Sequence, residues 1–195
     1  MADTPRSSRQ WVRYVRALRD RAEREREGVC FVEGIRQVLA AYEGGHTIVA
    51  LLLDPRRLRS KVARRTVSKL RDTGTVVVEL TTSEFERISA LDNPVGMAAI
   101  VNWRPGTLAD LTPGRDALYL LTDRVVDAGN LGTLIRTADS LGASGVVVHG
   151  GVDPAHPAAL RASLGTAFRF PIVSAETLDD VFNWTTHHRI TTVAT

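Results

Sequence analysis

Short β-branched apolar runs alternate with stretches of helical periodicity along almost the whole chain, and few architectures accommodate that order. Ser7 and Gln10 make a capping-box pattern ahead of a helix whose apolar face carries Trp11, Val15, Leu18 and Ala22, with Gly28 as its stop. A strand over 29–32 follows, then a helix marked by Ile35, Val38, Leu39 and Tyr42 that stops at Gly44-Gly45. A strand over 47–53 leads to Asp54-Pro55, which reads as N-cap and first position of a helix carrying Arg56, Arg57, Arg59, Lys61, Arg64, Arg65, Lys69 and Arg71. Strands over 75–80 and 96–103 flank a short helix over 83–89. The order after the leading helix is β-α-β-α-β-α-β, an α/β unit spanning residues 1–104.

The stretch 105–116, entered through Arg104-Pro105-Gly106 and containing Pro113-Gly114, reads as a linker. Beyond it, over 117–195, the alternation restarts. Strands are predicted over 117–122, 145–149, 171–173 and 190–194, and helices over 130–141, 157–167 and 178–187. Such strands form a parallel sheet, which needs helices on both faces. No helix follows the last strand, so the sheet is expected to continue beyond Thr195.

Composition excludes several classes. Hydrophobic residues make up 44% of the chain, enough for a packed core, yet no apolar run is long enough to span a membrane. The Arg-rich start lacks the apolar centre of a secretory signal, and the single Cys30 excludes an internal disulfide and reads as a small buried hydrophobe. A cytoplasmic protein is expected. His46, His149, His156, His187 and His188 show no ligand spacing, so no metal is expected. Gly142, Gly145, Gly150 and Gly151 do not form a dinucleotide fingerprint, and Ser163 lacks a nucleophile elbow. Trp11 and Trp103 read as core residues.

Charge is uneven. Residues 1–104 hold 19 Lys and Arg against 13 acids, whereas 105–195 hold 6 Arg against 9 acids, and 23 of the 25 basic residues are Arg. Arginine binds phosphate through a planar fork. A polyanion-gripping half joined to a near-neutral half fits this, and so does a solvated Arg-rich surface.

The segment from Asp123 to Gly142 bears the chemistry. Asn130 reads as an N-cap, Leu131, Leu134, Ile135, Ala138 and Leu141 share one face, and Gly142 suits the position after the C-cap. The strand-to-helix crossing at Asn130 is where open α/β sheets bind ligands. Gly132 and Arg136, one turn apart and off the apolar stripe, leave room for a second backbone or a phosphate beside an uncovered guanidinium. An ordinary cap followed by a solvated Arg is the other reading.

Asp123, then Asn130, Gly132, Arg136, Thr137, Ala138 and Gly142, resemble the first signature of the SpoU (TrmH-type) RNA ribose 2′-O-methyltransferases of the SPOUT superfamily. The run Leu160-Arg161-Ala162-Ser163-Leu164-Gly165, with Phe168 and Pro171, resembles the family's next block. Arg21 to Arg26, Phe31-Val32-Glu33-Gly34, and Asn93-Pro94-Val95-Gly96-Met97-Ala98 resemble the small substrate-binding domain that precedes many of these enzymes. The resemblance implies an N-terminal α/β RNA-binding domain and the first part of an α/β-knot methyltransferase domain. It also implies a homodimer, S-adenosyl-L-methionine as cofactor, and RNA as partner, ribosomal ahead of transfer RNA. It gives Arg136 and Asn130 the catalytic part: Arg136 would orient the ribose hydroxyl and stabilise its charge, and Asn130 would hold that Arg and the RNA backbone. It gives Arg161, Ser163, Arg24, Arg26, Glu33 and Arg36 to RNA binding.

The usual Asp-Pro before the Asn is Asp127-Ala128 here, and the family's later Gly-x-Glu-x-x-Gly and Ser-Leu-Asn signatures are not in the sequence. The cofactor-binding residues are therefore expected beyond Thr195, and the activity is expected of a longer protein. The alternative is a non-catalytic RNA-binding protein without a cofactor site.

Overall fold

The computed structural model describes residues 7–194. Ser7 caps α1 (Ser8–Ala17) through the expected box with Gln10, but the helix does not run on to Gly28. Asp20 accepts the Ala22 N–H at 2.9 Å and starts a new helix, α2 (Arg21–Glu27), which Gly28 ends in the left-handed region at φ 67°. The restart corrects the apolar face: Ala22 turns to solvent and Arg24 turns inward.

The first unit continues as β1 (Cys30–Glu33), α3 (Ile35–Glu43), β2 (Ile48–Leu53), α4 (Lys61–Asp72), β3 (Val76–Glu79), α5 (Thr82–Ile88) and β4 (Met97–Val101). Helix α4 starts later than the sequence suggested. Asp54 caps only a turn, accepting the Arg56 N–H at 2.9 Å, and Ser60 is the N-cap that launches the helix. The strand order is β1-β4-β2-β3, with β2 parallel to β3 and β4 antiparallel to β1 and β2. Alternate strand residues face opposite sides. Leu51, Leu53, Ala99 and Val101 meet Val38 and Ala41 of α3 and Ala63, Val67 and Leu70 of α4. Ala50, Leu52, Phe31 and Ile100 meet Trp11 and Val15 of α1 and Phe85 and Ile88 of α5. Cys30 is fully buried, and burial pushes its thiol pKa well up, so it behaves as the expected hydrophobe.

The second unit comprises β5 (Tyr119–Asp123), α6 (Ala128–Ser140), β6 (Gly145–His149), α7 (Pro157–Ala162), β7 (Ile172–Ala175) and α8 (Leu178–His187). Its sheet, ordered β5-β6-β7, is parallel throughout. Helices α6 and α7 cover one face, where Leu131, Ile135, Ala159 and Leu160 meet Val146 and Val148. Val181 of α8 and Leu111 cover the other, against Val147 and Val173.

Three expectations are corrected here. Helix α7 stops at Ala162 because Leu164 and Gly165 both take left-handed φ values, 53° and 92°, before a 3-10 turn over Thr166–Phe168. Residues 190–194 form no strand: Arg189 ends α8 at φ 55°, and the segment lies mostly exposed without a ladder partner among the described residues. The stretch 105–116 is not a free tether. Gly106 bridges Val173 in parallel, giving its N–H to the Ile172 carbonyl and accepting the Ser174 N–H, each at 2.9 Å.

The two units share one core. A single buried cluster runs from Leu51 and Met97 of the first sheet to Leu131 and Val146 of the second, and Trp103 meets Phe168 edge-on with centroids 5.8 Å apart. His46 Nε2 is 2.9 Å from the Phe168 carbonyl, and Gln37 Nε2 donates to the Arg161 carbonyl at 3.4 Å. Also between the units, Arg24 donates to Asp153 Oδ2 through Nε at 2.9 Å and Nη2 at 2.7 Å, while its Nη1 donates to the Leu18 and Arg19 carbonyls. The two residues are 3% and 8% exposed.

Removing one member of such a pair strands the other charge away from water. Arg24→Met should lower the unfolding free energy by about 3–5 kcal/mol, and adding Asp153→Leu should recover most of the loss. Urea unfolding followed by circular dichroism decides; a double variant no more stable than the single would remove the pairing as the cause.

Candidate functional site

The parallel register sets Asp123 beside His149 at the carboxyl ends of β5 and β6. Asp123 Oδ1 lies 2.8 Å from His149 Nδ1 and also accepts from Arg124 Nε at 3.2 Å. The Asp123 carboxyl is held below its usual range, first by the His149 hydrogen bond and next by Arg124. Arg124 adopts φ 50°, a left-handed conformation that costs a side-chain-bearing residue free energy. The crossing there is tight: Arg124 N–H donates to the His149 carbonyl at 2.8 Å, and Val152 N–H to the Val125 carbonyl at 2.8 Å. Gly151, at φ 67°, sits where a Cβ would stand 2.7 Å from the Val125 nitrogen.

Helix α6 leaves this crossing. Its N-cap is Asp127, whose carboxylate accepts the Asn130 N–H at 2.7 Å. That corrects the assignment of the cap to Asn130, which instead lies in the first turn with its side chain exposed. A carboxylate at this end also complements the helix dipole, an advantage that Asn lacks. Gly142 follows the C-cap at φ 79°, as expected. Gly132 lies against α7, where a Cβ would stand 2.7 Å from the Ala162 Cβ and 2.9 Å from the Ser163 nitrogen. The space the glycine opens is thus filled by a neighbouring backbone rather than left for a phosphate.

Arg136 lies one turn beyond Gly132, half-buried, and its guanidinium makes no hydrogen bond or ion pair with any described residue. It makes no hydrogen bond with Asn130. The helix separates residues 130 and 136 by about 9 Å along its axis and turns them to different faces.

The RNA-binding candidates divide. Arg36 is exposed, Arg161 is partly exposed, and neither guanidinium is paired with any described residue. Arg26 is exposed but paired with Glu23 at 2.5 Å and Glu27 at 2.9 Å. The other three are corrected to structural parts. Arg24 is spent on Asp153. Glu33 is 7% exposed, accepting from the Ser89 hydroxyl and from the Ala90 N–H at 3.0 Å. Ser163 is fully buried, its hydroxyl donating to the Leu160 carbonyl at 2.8 Å. Sequence reasoning missed His149 as a partner of Asp123, although both end apolar runs in equivalent strand positions. It also missed Asp153, for which no local signal exists. No helix among the described residues is long and apolar enough to cross a membrane, and no group of three or more His, Cys, Asp or Glu among them could hold a metal ion.

Residues 9–99 match a family model described as an MRM3-like substrate binding domain, and residues 117–195 match that of the SpoU rRNA Methylase family. A 23S rRNA (uridine(2479)-2'-O)-methyltransferase of Streptomyces viridochromogenes is 32% identical over 169 residues, which cover 86% of this chain and 58% of that protein. The mitochondrial rRNA methyltransferase 3A of Danio rerio is 30% identical, over 91% of this chain and 41% of its own length. The chain therefore spans about half the length of these curated relatives. The solved SpoU methyltransferase AviRb from S. viridochromogenes, in complex with AdoMet, superposes with a TM-score of 0.83 at 30% identity, over 92% of this chain and 68% of that one. An AdoMet-bound rRNA methyltransferase from Sinorhizobium meliloti gives 0.80 at 32%, over 90% and 65%.

The lowered Asp123 pKa fixes a pH dependence. Its stabilisation is complete above the ordinary carboxylate pKa of about 4 and is lost as the pH falls through the lower folded value. Asp123→Asn should lower Tm at neutral pH and leave it unchanged near about pH 2. Thermal melts at both pH values test this, and an equal loss at each would discard the ionised Asp123–His149 contact.

Proposed function

The chain belongs to the SpoU rRNA Methylase family, and on that premise we propose that it grips RNA and supplies the reacting helix for S-adenosylmethionine-dependent methylation of a ribose 2′-OH in ribosomal RNA. Residues 1–104 would hold the RNA and residues 117–195 would begin the methyl-transfer domain, with 105–116 joining them. The observation that carries the reading is Arg136: a half-buried, unpaired guanidinium on the helix that leaves the first strand of a parallel sheet.

A ribose hydroxyl is a weak nucleophile until its proton departs. Arginine is too basic a side chain to take that proton, which leaves Arg136 the other role. Its part is to orient the hydroxyl and stabilise the negative charge growing on that oxygen, which a preorganised donor does best away from bulk water. Asn130, exposed in the first turn of α6, offers its amide to the RNA backbone. S-adenosylmethionine supplies the methyl group when bound. No described cavity fits it well enough to be assigned. A cleft of about 490 Å³ lies between α2, residues 103–107 and the ends of β6 and β7, but its charged walls are largely paired with each other, Arg24 with Asp153 and Arg21 with Glu25.

Transfer of tritiated methyl from S-adenosylmethionine to ribosomal and transfer RNA tests the reading, with 2′-O-methylnucleosides identified by mass spectrometry. Where the reading frame continues past Thr195, the longer protein is assayed beside this chain. Arg136→Ala should cut methyl transfer by about 100-fold or more while leaving most RNA affinity. Unchanged turnover would return Arg136 to the solvated surface. Salt-sensitive RNA binding with no label from either protein would favour the non-catalytic binder.

A second copy is the expected partner. Leu118, Val126 and Leu141, at 62%, 86% and 77% exposure, give the second unit apolar surface to bury. Sedimentation velocity should find a dimer; a monomer at assay concentrations would count against it.

A further inference from the structure

Helix α7 is capped by a group that can lose its acceptor. Its N-cap is His156, in extended backbone at φ −61° and ψ 131°, and Pro157 follows. Proline has no N–H, so Ala158 carries the first amide of the helix, and that amide donates to His156 Nδ1 at 3.2 Å. A backbone N–H only donates, so Nδ1 is the bare, accepting nitrogen of a neutral ring. The usual caps, Ser, Thr, Asn and Asp, keep their acceptor oxygen near neutral pH. An imidazole gives its acceptor up when it takes a proton, and it does so in the physiological range.

The surroundings oppose that proton. His156 is partly buried, and its N–H donates to the Asp153 carbonyl at 2.9 Å. The charges that act on its ring are Arg24 of α2, Asp153 of the loop before α7, and Arg161 of α7 itself. The one acid among them is spent: Asp153 Oδ2 accepts from Arg24 and Oδ1 from the Ala155 N–H. A helix N-terminus disfavours a cation as well. Burial first, and then Arg24, hold the His156 pKa below its ordinary value, with Arg161 adding to the effect and Asp153 opposing it.

The cap matters beyond its own turn. Helix α7 has six residues and little stability of its own. Ala159 and Leu160 are buried in the cluster that both units share. The Arg161 carbonyl accepts from Gln37 of the first unit at 3.4 Å, and a Cβ on Gly132 of α6 would stand 2.3 Å from the Ala159 carbonyl oxygen. Whatever loosens the first turn of α7 therefore reaches the seam and α6 together.

We propose that His156 is a proton-operated latch on α7: unprotonated, it caps the helix and holds it in the seam, and protonation frees the Ala158 amide and loosens α7 between the two units. The latch is whole above the ordinary histidine pKa of about 6.5 and is lost as the pH falls through the lower folded value. It concerns the fold of this chain and stands whether or not the chain acts on RNA.

Hydrogen exchange read by mass spectrometry on the peptides covering α7 tests this at about pH 7.5 and about pH 5, on either side of histidine titration, with rates corrected for the intrinsic effect of pH. The proteins are the wild type, His156→Asn, which keeps an acceptor that does not titrate, and His156→Ala, which has none. Wild-type protection of α7 should fall by roughly fivefold at the lower pH, the worth of one cap, while the Asn variant holds the same protection at both. The Ala variant should already be as loose at the higher pH as the wild type is at the lower. Equal pH dependence in the wild type and the Asn variant would overturn the latch, because another group would then be responsible. So would an Ala variant protected like the wild type at the higher pH. If the variants fail to fold, NMR titration of the wild type decides: the His156 ring must titrate below about pH 6.5, and a midpoint at or above that value removes the latch.

Discussion

A guanidinium and a carboxylate taken out of water together, Arg24 with Asp153, hold the arrangement that everything else uses. Packed apolar faces can slide past one another at modest cost, but Arg24 is fixed by donors that point at Asp153 and at the Leu18 and Arg19 carbonyls. The break between α1 and α2 leaves this side chain turned inward. Asp153 is fixed in turn, accepting the Ala155 N–H at 2.8 Å just ahead of α7. The pair thus ties the start of α2 to the element that carries Arg161 and supports α6.

Glycines set how closely the elements meet. Gly132 brings α6 onto α7, Gly165 brings the end of α7 onto α3, and Gly44 brings the end of α3 onto the Phe168 carbonyl. Each lies where a β-carbon would collide with a neighbour. In consequence α7, only six residues long, is clamped between the first unit and the helix bearing Arg136. A short helix of this length has little stability of its own; its position is owed to those contacts.

The sequence made the order of elements legible because its apolar runs and helical stripes have different periods, and α8 emerges with the predicted bounds. What it hid depends on competition and distance. Asn130 is a good cap in isolation, but Asp127 is a better one beside a helix dipole, so the start moved. Residues 190–194 have strand composition, yet composition forms no strand without a neighbour to pair with. Arg24, Glu33 and Ser163 are polar residue types that read as surface, and only the folded seam reveals that each is satisfied inside. Asp153 is separated from Arg24 by 129 residues, so no local pattern could join them. The place of Arg136 off the apolar stripe of α6 was legible from the helix phase, and its lack of a partner among the described residues is what only the structure adds.

That separation has a consequence for synthesis. A chain leaves the ribosome from its N-terminus, at roughly 5–20 residues per second. The first sheet can close once β4 has emerged, but the anion that Arg24 needs follows much later. For some seconds the nascent first unit carries a guanidinium whose final place would bury it uncompensated. Helix α2 must therefore stay loose, or leave Arg24 in water, until α7 is being made. A part made early thus waits for one made much later.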